Sequence, residues 1–425
     1  MRLFLVFMMV ASLFGATHHF SLHQFGNGKG NTLLVIGGIH GNEPGGYFAP
    51  AFLVRYYKIT EGNLWVVPNL NRDSIIKFER GIYNDMNRKF NRIDPKDPDY
   101  TIIQDIKKII TAKEVDMILN LHDGYGFYHP EYRSGLVNPK AWGQSTVIDQ
   151  PTLKGVKFGN LEEIAKKVNN ATKIHIQEDL HEFNVKNTDT ASKDKEMQKT
   201  LTFWAISQNK PAFAIETSKN IQDLSLKVYY QLQTIERFME IMGIKFERTF
   251  ELTPNNVAQL LKDHGTLYLP KGRIALPLHD VVGKISYLPV GEPLSYESDN
   301  PLITLVPKAG GYDIYNGHIK VTTLLTIPVR YEEKLTHVTV RTKGEDKRVS
   351  LGSILKVNSP FSIVVPEGYR VNVIGFIKEG VKSEDALPIS LEEINRHYAL
   401  DLSRKSFRVE VYKGDLFCGM IVVTF

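Results

Sequence analysis

The stretch LLVIGGIHGNEPGG, from Leu33 to Gly46, joins an apolar run to two glycines and then places His40 and Glu43 three residues apart. A short apolar run that ends in glycines predicts a buried strand followed by a sharp turn. Because Gly37 and Gly38 let the chain turn closely, His40 and Glu43 can face one point beyond the strand. Taken alone, the stretch is either a turn with two incidental polar residues or part of a metal site.

Similar apolar runs recur up to Ile244 and alternate with helical patterns. Runs that are apolar on both faces are typical of parallel strands covered by helices on either side. The predicted strands are LLVIGG, LWVVPNL, DMILNL and AFAIET, and the predicted helices are IIQDIKKII, LEEIAKKVNN, KEMQKTLTFWAIS and LSLKVYYQLQTIERFMEIM. We therefore predict an α/β domain with a mixed, mostly parallel sheet and helices on both faces.

After Lys245, prolines, turn dipeptides and period-two alternation replace the helical patterns. YDIYNGHIKV places Asn316 and Gly317 between alternating segments, which predicts a two-residue hairpin with positive φ at both turn positions. SFRVEVY alternates apolar with polar residues, so we expect one face in the core and the other in solvent. Two small β-rich domains should follow the α/β domain. The predicted domains are residues 17–245, 246–331 and 332–425.

Composition supports a globular chain of several domains, with 425 residues, 42% of them hydrophobic and 23% charged. The net charge of +5 is spread along the chain and gives little support to nucleic-acid binding. The uncharged run from Leu3 to Ala16 follows Arg2 and is shorter than the roughly 18 to 20 residues of a membrane-spanning helix. It predicts a signal peptide at residues 1–16 and no membrane span after its removal. Export with Cys418 as the single cysteine suggests the periplasm.

Chemically active residues follow the predicted strands. In a mostly parallel sheet, ligand sites lie beyond the carboxyl ends of the strands. His40 and Glu43 follow the first run, His122 and Asp123 follow a later one, and Glu216 lies at the end of the last. Catalytic zinc takes three ligands of the His, His and carboxylate type and keeps one position open. His40, Glu43 and His122 therefore predict a site for one zinc ion, with Asp123 expected to support the ligands or their loop.

Glu216 ends a run that should be buried, where a carboxylate is costly without a partner. Near a metal it can act as a general base towards water and later protonate a leaving amine. A structural salt bridge to an arginine is the alternative. Arginines beside a metal suggest an anionic substrate, because the guanidinium matches a carboxylate. Arg88 with Asn87 is expected to bind a terminal carboxylate, and Arg80 to stabilise an oxyanion.

The segment after His122, DGYGFYHPEYRSG, is rich in aromatic residues and glycines, and Trp142 comes shortly after it. Because this segment follows the candidate ligand His122 in the chain, Trp142 is a candidate for the wall of a substrate cleft. Packing in the core would explain the same aromatic pattern equally well. Both interpretations stay open at this point.

The motifs HGNE, DMNRKF preceded by Arg80, NLHDG and AIET together resemble the zinc carboxypeptidase superfamily of the carboxypeptidase A type. Within it, the length, the export signal and the β-rich C-terminal part are similar to the murein tripeptide carboxypeptidases that determine cell shape in helical bacteria. The matching motifs cover about residues 33–220. The resemblance implies zinc binding by His40, Glu43 and His122, general-base catalysis by Glu216, and contacts to oxyanion and terminal carboxylate by Arg80, Asn87 and Arg88.

The same resemblance implies a substrate, the stem tripeptide of peptidoglycan, from which the terminal diaminopimelate would be removed to leave a dipeptide. It also implies a barrel-like second domain and an immunoglobulin-like last domain. No motif supplies an obvious counterpart to the substrate-facing tyrosine of digestive carboxypeptidases. Partners among the proteins of the cell envelope are conceivable and unidentified.

Two other functions remain open from the sequence. Zinc deacylases of the aspartoacylase and succinylglutamate-desuccinylase kind share motifs similar to HGNE and act on amides beside a carboxylate, although they are generally intracellular. A non-catalytic protein that binds the cell wall or serves as a scaffold would explain the β-rich C-terminal part. The signal peptide argues against the deacylase, and the residue set around His40 and Glu216 argues against the scaffold.

Overall fold

The computed structural model describes residues 19–291, 294–342 and 345–425. The predicted signal peptide at residues 1–16 lies outside these ranges. The chain forms two compact units, one up to Val257 and one from Ala258 onward. Within the described ranges, no helix is both long enough and apolar enough to cross a membrane.

The first unit is built from short strands and helices in alternation. Its strands are β1 (His23–Gly26), β2 (Thr32–Ile36), β3 (Tyr57–Glu61), β4 (Asn63–Val67), β5 (Met117–Gly124), β6 (Phe127–Tyr128), β7 (Val137–Asn138), β8 (Ser145–Ile148), β9 (Asn184–Asn187), β10 (Ala212–Ser218) and β11 (Lys245–Arg248). Its α-helices are α1 (Gly45–Tyr56), α2 (Arg72–Lys77), α3 (Tyr100–Ile110), α4 (Leu161–Lys173), α5 (Thr190–Lys193), α6 (Leu201–Ser207) and α7 (Leu224–Ile241), and α8 (Pro254–Leu261) contains the boundary.

A seven-stranded sheet with the order β1-β4-β2-β5-β10-β8-β9 forms the centre of this unit. Strands β4, β2, β5 and β10 are parallel, whereas β1 and β8 run antiparallel to β4 and β10. Helices α1, α4 and α7 pack together on one face, and α3 and α6 cover the other. The predicted mixed, mostly parallel sheet with helices on both faces is confirmed.

The turn after β2 requires glycine at both predicted positions. A Cβ on Gly37 would lie 2.1 Å from the carbonyl oxygen of Gly46 in α1. Gly38 has a φ of 72°, which favours glycine. The N–H of Gly37 also donates to the carbonyl of Val67 at the end of β4 (2.7 Å). The glycines therefore let α1 begin close against the sheet, directly after His40 and Glu43.

The helix predictions need correction, in one segment that was predicted and in others that were not. The segment KEMQKTLTFWAIS is helical only in its second half, α6, because the hydroxyl of Thr200 accepts the N–H of Phe203 and starts a new helix there (3.3 Å). The residues before it form a separate 3₁₀ turn at Met197–Lys199. Helix α8 was not predicted, although the hydroxyl of Thr253 accepts the N–H of Asn256 at its start (3.2 Å).

The second unit is built mainly from strands. They are β12 (Thr266–Leu269), β13 (Ile274–Pro277), β14 (Lys284–Val290), β15 (Glu297–Ser298), β16 (Ile303–Lys308), β17 (Gly311–Asn316), β18 (Ile319–Pro328), β19 (His337–Thr342), β20 (Glu345–Ser350), β21 (Ile354–Lys356), β22 (Phe361–Val364), β23 (Arg370–Val373), β24 (Ser406–Lys413) and β25 (Leu416–Thr424). Their sheets have the orders β13-β12-β15, β14-β18-β17-β16, β20-β19-β22 and β21-β25-β24-β23.

The second unit has two hydrophobic cores. One lies among β12 to β18 and includes residues of β24 and β25, and the other lies between the sheets β20-β19-β22 and β21-β25-β24-β23. The division at residue 331 and the immunoglobulin-like topology of the last part remain predictions. The hairpin of β17 and β18 is confirmed, but its turn residues are Gly317 and His318, and Asn316 pairs with Ile319 as the last residue of a strand.

The prediction of a solvent-exposed face for SFRVEVY is wrong. Arg408 and Glu410 are only 6% and 4% exposed. Strand β24 lies between the two cores, so Val409 packs in one core while Tyr412 packs in the other. The polar pair is accommodated by mutual contacts, with an Arg408 Nη1 to Glu410 Oε1 distance of 3.5 Å and a hydrogen bond from the Tyr412 hydroxyl to Glu410 (2.7 Å).

Candidate metal centre and active site

The side chains of His40, Glu43 and His122 converge at the carboxyl ends of β2 and β5. Nδ1 of His122 lies 2.8 Å from Oε2 of Glu43, and Nδ1 of His40 lies 3.1 Å from Oε1 of the same carboxylate. One ligand atom from each residue lies within 4.8 Å of the others. All three side chains are buried, with at most 3% exposed. Two imidazoles and a carboxylate so close together have the composition of a catalytic metal site.

The chemistry of these residues fits a bound cation. Nδ1 of His40 is buried and, despite its proximity to Glu43, has no hydrogen-bond partner among the described residues. A buried nitrogen without a partner is unfavourable and calls for an explanation such as an ion. A metal held between His40, Glu43 and His122 would supply the missing contact.

Electrostatics prepare two of the three residues for metal binding. Burial alone would raise the pKa of Glu43, but the neighbouring imidazoles of His40 and His122 outweigh it and hold that pKa well below the usual value. Burial lowers the pKa of His122, although Glu43 opposes the shift. An ionised carboxylate and a neutral imidazole are the forms that bind metals. Burial also acts to lower the pKa of His40, but Glu43 and Asp85 raise it, so these carboxylates favour positive charge beside its ring.

Asp85 connects the candidate ligands to the segment DMNRKF. Its Oδ1 lies 2.8 Å from Nε2 of His40 and accepts the N–H of Asn87 (2.9 Å). Arg80 donates from Nε to Oδ2 of Asp85 (3.0 Å) and from Nη1 to Oε1 of Glu43 (3.1 Å). The carboxylate thus orients the His40 ring, as partners of metal-binding histidines commonly do. No separate role was predicted for Asp85, although it opens a motif already singled out.

Glu216 lies on β10 directly opposite His122 in the neighbouring strand. Burial, followed by the charges of Glu43 and Asp123, raises its pKa well above the usual value. Gly124 leaves room for this side chain, because a Cβ there would lie 2.8 Å from Oε2 of Glu216. A carboxyl group with a raised pKa beside a metal site can take up and return a proton.

Asp123 supports the start of α1, as predicted. Its Oδ2 accepts the N–H of Gly45 (3.0 Å) and lies 3.6 Å from Nζ of Lys227, and its Oδ1 accepts the hydroxyl of Thr217. The carboxylate is therefore committed to the helix and to β10. It fixes the turn that carries His40 and Glu43.

The predicted carboxylate-binding residues lie next to Asp85. The side-chain oxygen of Asn87 accepts the N–H of Leu201 (2.9 Å), so it also anchors α6. Arg88 is partly buried and donates from Nη1 to the backbone carbonyl of Asn87 (3.1 Å). Asp85 joins these residues to His40, because its Oδ1 contacts both Nε2 of His40 and the N–H of Asn87. Asn87 and Arg88 therefore lie on the side of the site to which Nε2 of His40 points.

Trp142 lies on the other side of the site. Its backbone N–H donates to the carbonyl of Tyr125 (2.9 Å), and its Cβ would be 2.5 Å from a Cβ on Gly124. Nζ of Lys186 lies 4.8 Å from the Trp142 ring and donates to the carbonyls of Pro139 (2.8 Å) and Ala141 (3.1 Å). Burial lowers the pKa of Lys186 to about 8. Trp142 is thus held near Gly124 and Glu216, while its contact with substrate remains a prediction.

Sequence reasoning missed Lys219. Its Nζ lies 3.2 Å from Oε1 of Glu43 and 4.9 Å from the ring of Tyr125. Both residues come directly after strands, Tyr125 after β5 and Lys219 after β10. Tyr125 lies in the aromatic segment already singled out after His122, and Lys219 follows the predicted strand AFAIET by two residues. Reading two residues beyond that strand would therefore have found Lys219.

Comparison with known proteins places the chain in a family. Residues 8–262 match the family described as the catalytic part of a carboxypeptidase controlling helical cell shape. Residues 331–425 match the C-terminal domain of metallo-carboxypeptidase. No curated protein sequence matches the chain.

Comparison with solved structures supports the same family. Apo cell shape determinant protein Csd4 from Helicobacter pylori is 34% identical, with a TM-score of 0.86 over 96% of this chain and 100% of that chain. The tripeptide-bound form of Csd4 gives the same values. The mDAP-bound form, described as a D,L-carboxypeptidase, is 36% identical, with a TM-score of 0.85 over 93% of this chain and 96% of that chain. The chain therefore belongs to the family of metallocarboxypeptidases that control helical cell shape.

Proposed function

We propose that the protein is a zinc-dependent carboxypeptidase that hydrolyses stem tripeptides of peptidoglycan, releasing the terminal diaminopimelate and leaving a dipeptide. The observation that carries this proposal is the buried set of His40, Glu43 and His122, with Glu216 opposite His122 across the parallel strands. The substrate follows from the likeness to Csd4, which is described in forms bound to a tripeptide and to mDAP.

One zinc ion would be held by His40, Glu43 and His122, the only such group of potential ligands found within the described residues. When bound, zinc polarises a carbonyl group and makes a water molecule more acidic. Two imidazoles and one carboxylate leave a further position open, which distinguishes catalytic from structural zinc sites. Asp85 holds the ring of His40 so that Nδ1 faces Glu43.

Glu216 is the proposed general base. It takes a proton from the attacking water and gives it to the amine that leaves with diaminopimelate. Its raised pKa supports both steps, because a carboxyl group that holds a proton more tightly is a better base and still able to donate. Its position opposite His122 brings it beside the proposed zinc site.

Cationic residues around the site are suited to a substrate with several carboxylates. Arg88 and Asn87 are proposed to bind the carboxylate next to the scissile amide, and Trp142 to line the cleft. Arg80 is held by Glu43 and Asp85 and is proposed to stabilise the oxyanion that develops on the attacked carbonyl. Two carboxylates fix the position of this guanidinium before the substrate arrives, so little reorganisation is needed during the reaction.

The proposed place of action is the periplasm, after export by the signal peptide at residues 1–16 and its removal. Cleavage of stem peptides there would alter the cell wall and, through it, cell shape. We further propose that the catalytic domain spans residues 17–245 and that two β-rich domains, 246–331 and 332–425, follow it, the last with an immunoglobulin-like topology.

The proposal is tested by incubating the purified mature protein with stem peptides of defined length and identifying the products by mass spectrometry. The tripeptide should lose diaminopimelate, a chelator should stop the reaction, and added zinc should restore it. An N-succinyl amino acid, the kind of substrate that the deacylases use, serves as the control and should remain intact. Turnover that persists in chelator, or hydrolysis of the control instead of the tripeptide, would contradict the proposal.

A further inference from the structure

Lys186 is a buried cation that the proposed reaction has not yet used. It lies on β9, at the edge of the seven-stranded sheet, and is only 9% exposed. Within the described ranges its ammonium group forms no ion pair with a carboxylate, and it donates instead to the backbone carbonyls of Pro139 (2.8 Å) and Ala141 (3.1 Å). A buried charge without a counter-ion is unfavourable unless other contacts compensate for the lost water.

Two aromatic rings supply those contacts. Nζ of Lys186 lies 4.3 Å from the ring centroid of Tyr128 and 4.8 Å from that of Trp142, both within the range of a cation–π contact. Such contacts are stronger away from water, as they are here. The ammonium group therefore joins the ring of Trp142 to the ring of Tyr128, and its hydrogen bonds hold the chain shortly before Trp142.

Other contacts of this segment fix its backbone. The hydroxyl of Ser145 donates to the carbonyl of Trp142 (2.6 Å). Asn184, two residues before Lys186 on β9, donates from Nδ2 to the carbonyl of Tyr128 (3.2 Å). These bonds leave the orientation of the indole ring undetermined, whereas Lys186 contacts the ring itself.

The register of the sheet puts this cation on the same face as the candidate catalytic residues. Ser145 of β8 pairs with Glu216 on one side and with Asn184 on the other, and Glu216 pairs with His122. Side chains opposite one another in a sheet share a face, and so do side chains two residues apart along a strand. Lys186 therefore points to the face of His122 and Glu216. The charge of Glu216 acts on it as well, raising its pKa against the larger, lowering effect of burial.

We propose that Lys186 is a positioning residue that holds the indole ring of Trp142 in place as a preformed wall of the substrate cleft. This inference rests on the proposed function, in which Trp142 lines the cleft, and adds the residue that fixes this wall before the substrate arrives. A side chain that is already ordered loses no conformational entropy on binding, so the effect of Lys186 belongs to substrate binding rather than to the chemical step.

The test is a double-mutant cycle in the zinc-loaded protein with the tripeptide as substrate. Lys186→Met keeps much of the packing but removes the charge, and it should raise KM about 3- to 10-fold, as expected for one side chain that must now be ordered on binding. Its kcat should change less than about twofold, because the chemical groups are untouched. Lys186→Arg should keep KM within about twofold of wild type, since a guanidinium also stacks on rings and donates to carbonyls.

Trp142→Ala carries the second half of the cycle. It should raise KM by itself, and adding Lys186→Met should then raise KM by less than about twofold further, because the ring through which Lys186 acts is gone. Tyr128→Leu removes the other ring and repeats the test if Lys186→Met does not fold. It should raise KM about twofold or more when Trp142 is present and leave KM unchanged in Trp142→Ala.

Lys154→Met, at an exposed position of the same unit, is the matched control and should have wild-type kinetics. Zinc content and the midpoint of unfolding are measured for every variant. An unchanged KM in Lys186→Met or in Trp142→Ala would overturn the inference while leaving the proposed function intact. The same rise in KM from Lys186→Met with and without Trp142 would also overturn it and show a structural role instead. Failure of the wild-type protein to release diaminopimelate from the tripeptide would reject the proposed function itself.

Discussion

Nε2 of His40 lies 2.8 Å from Oδ1 of Asp85, and the same oxygen accepts the backbone N–H of Asn87. This arrangement fixes the His40 ring so that Nδ1 faces Glu43. Removing the carboxylate should let the ring rotate, and such partners of metal-binding histidines contribute about 10- to 100-fold to metal affinity. We expect Asp85→Ala to lower zinc affinity by that factor, measured by competition with a chromogenic chelator. Asp415→Ala, at an exposed position, should leave the affinity unchanged.

His122→Ala should remove the metal rather than merely weaken catalysis. The side chain is 3% exposed and contributes one of the three converging ligand atoms, so no water can readily replace it in the same geometry. Elemental analysis of the dialysed protein should show far less than one zinc per chain, and His279→Ala should retain the wild-type content because His279 is exposed. Stoichiometric zinc in His122→Ala would show that the ligand set has been assigned incorrectly.

Glu216→Gln should separate chemistry from metal binding. The amide keeps the size of the side chain but cannot take up a proton, and general-base catalysis contributes about 10²- to 10⁴-fold. We expect kcat to fall by such a factor while the zinc content and KM change little, measured by product formation and elemental analysis. Glu247→Gln, with a side chain 65% exposed, provides the control. Unchanged turnover would remove Glu216 from the mechanism.

The sequence predicted this site because each part had a strong local signal. Apolar runs marked β2, β5 and β10, and the rule that ligands bind beyond strand ends pointed to His40, His122 and Glu216 without any knowledge of distances. Gly37 could be recognised as a turn residue because few other residues allow such a close approach. Convergence from three strands followed from the parallel arrangement rather than from any single motif.

Other features depended on tertiary contacts that leave no local pattern. Helix α1 begins with two glycines and contains Pro50, so its sequence lacks an ordinary helical signal. Arg408 alternates with apolar residues as on an exposed face, yet a second core covers that face of β24. The role of Asp85 depends on His40, which is distant in the chain, and Lys219 contacts the equally distant Glu43. Such pairings become visible only when the sheet order is known.

Arg88→Ala should weaken substrate binding more than metal binding. Arg88 contacts the backbone of Asn87 and does not approach the three candidate ligands through any contact shown among the described residues. We expect KM for the tripeptide to rise about tenfold or more with unchanged zinc content, because a charge-assisted hydrogen bond is lost. Arg88→Lys should recover little, since the planar fork is lost, and exposed Arg92→Ala should behave as wild type. A fall in zinc content that matches the loss of activity would contradict this assignment.

Asp149 should make the stability of the first unit depend on pH. The residue is 2% exposed, and burial raises its pKa to about 6, although hydroxyls of Thr190 and Thr188 oppose the shift. In the unfolded chain an aspartate has a pKa of about 3.9. Between these values the folded protein binds more protons than the unfolded chain, so the contribution of Asp149 to the free energy of unfolding falls as the pH rises from about 4 to above 6. The full loss is about 3 kcal/mol.

Asp149→Asn removes this titration and keeps an oxygen that can accept from Thr190. We therefore expect the variant to gain stability relative to wild type, by about 2 kcal/mol, as the pH rises from about 4.5 to 7. Trp65, Trp142 and Trp204 all lie in the first unit, so tryptophan fluorescence during denaturant unfolding reports on that unit. Exposed Asp179→Asn is the control and should show the pH dependence of the wild-type protein. If the difference between Asp149→Asn and wild type stays constant with pH, the buried carboxyl group does not titrate as its surroundings require.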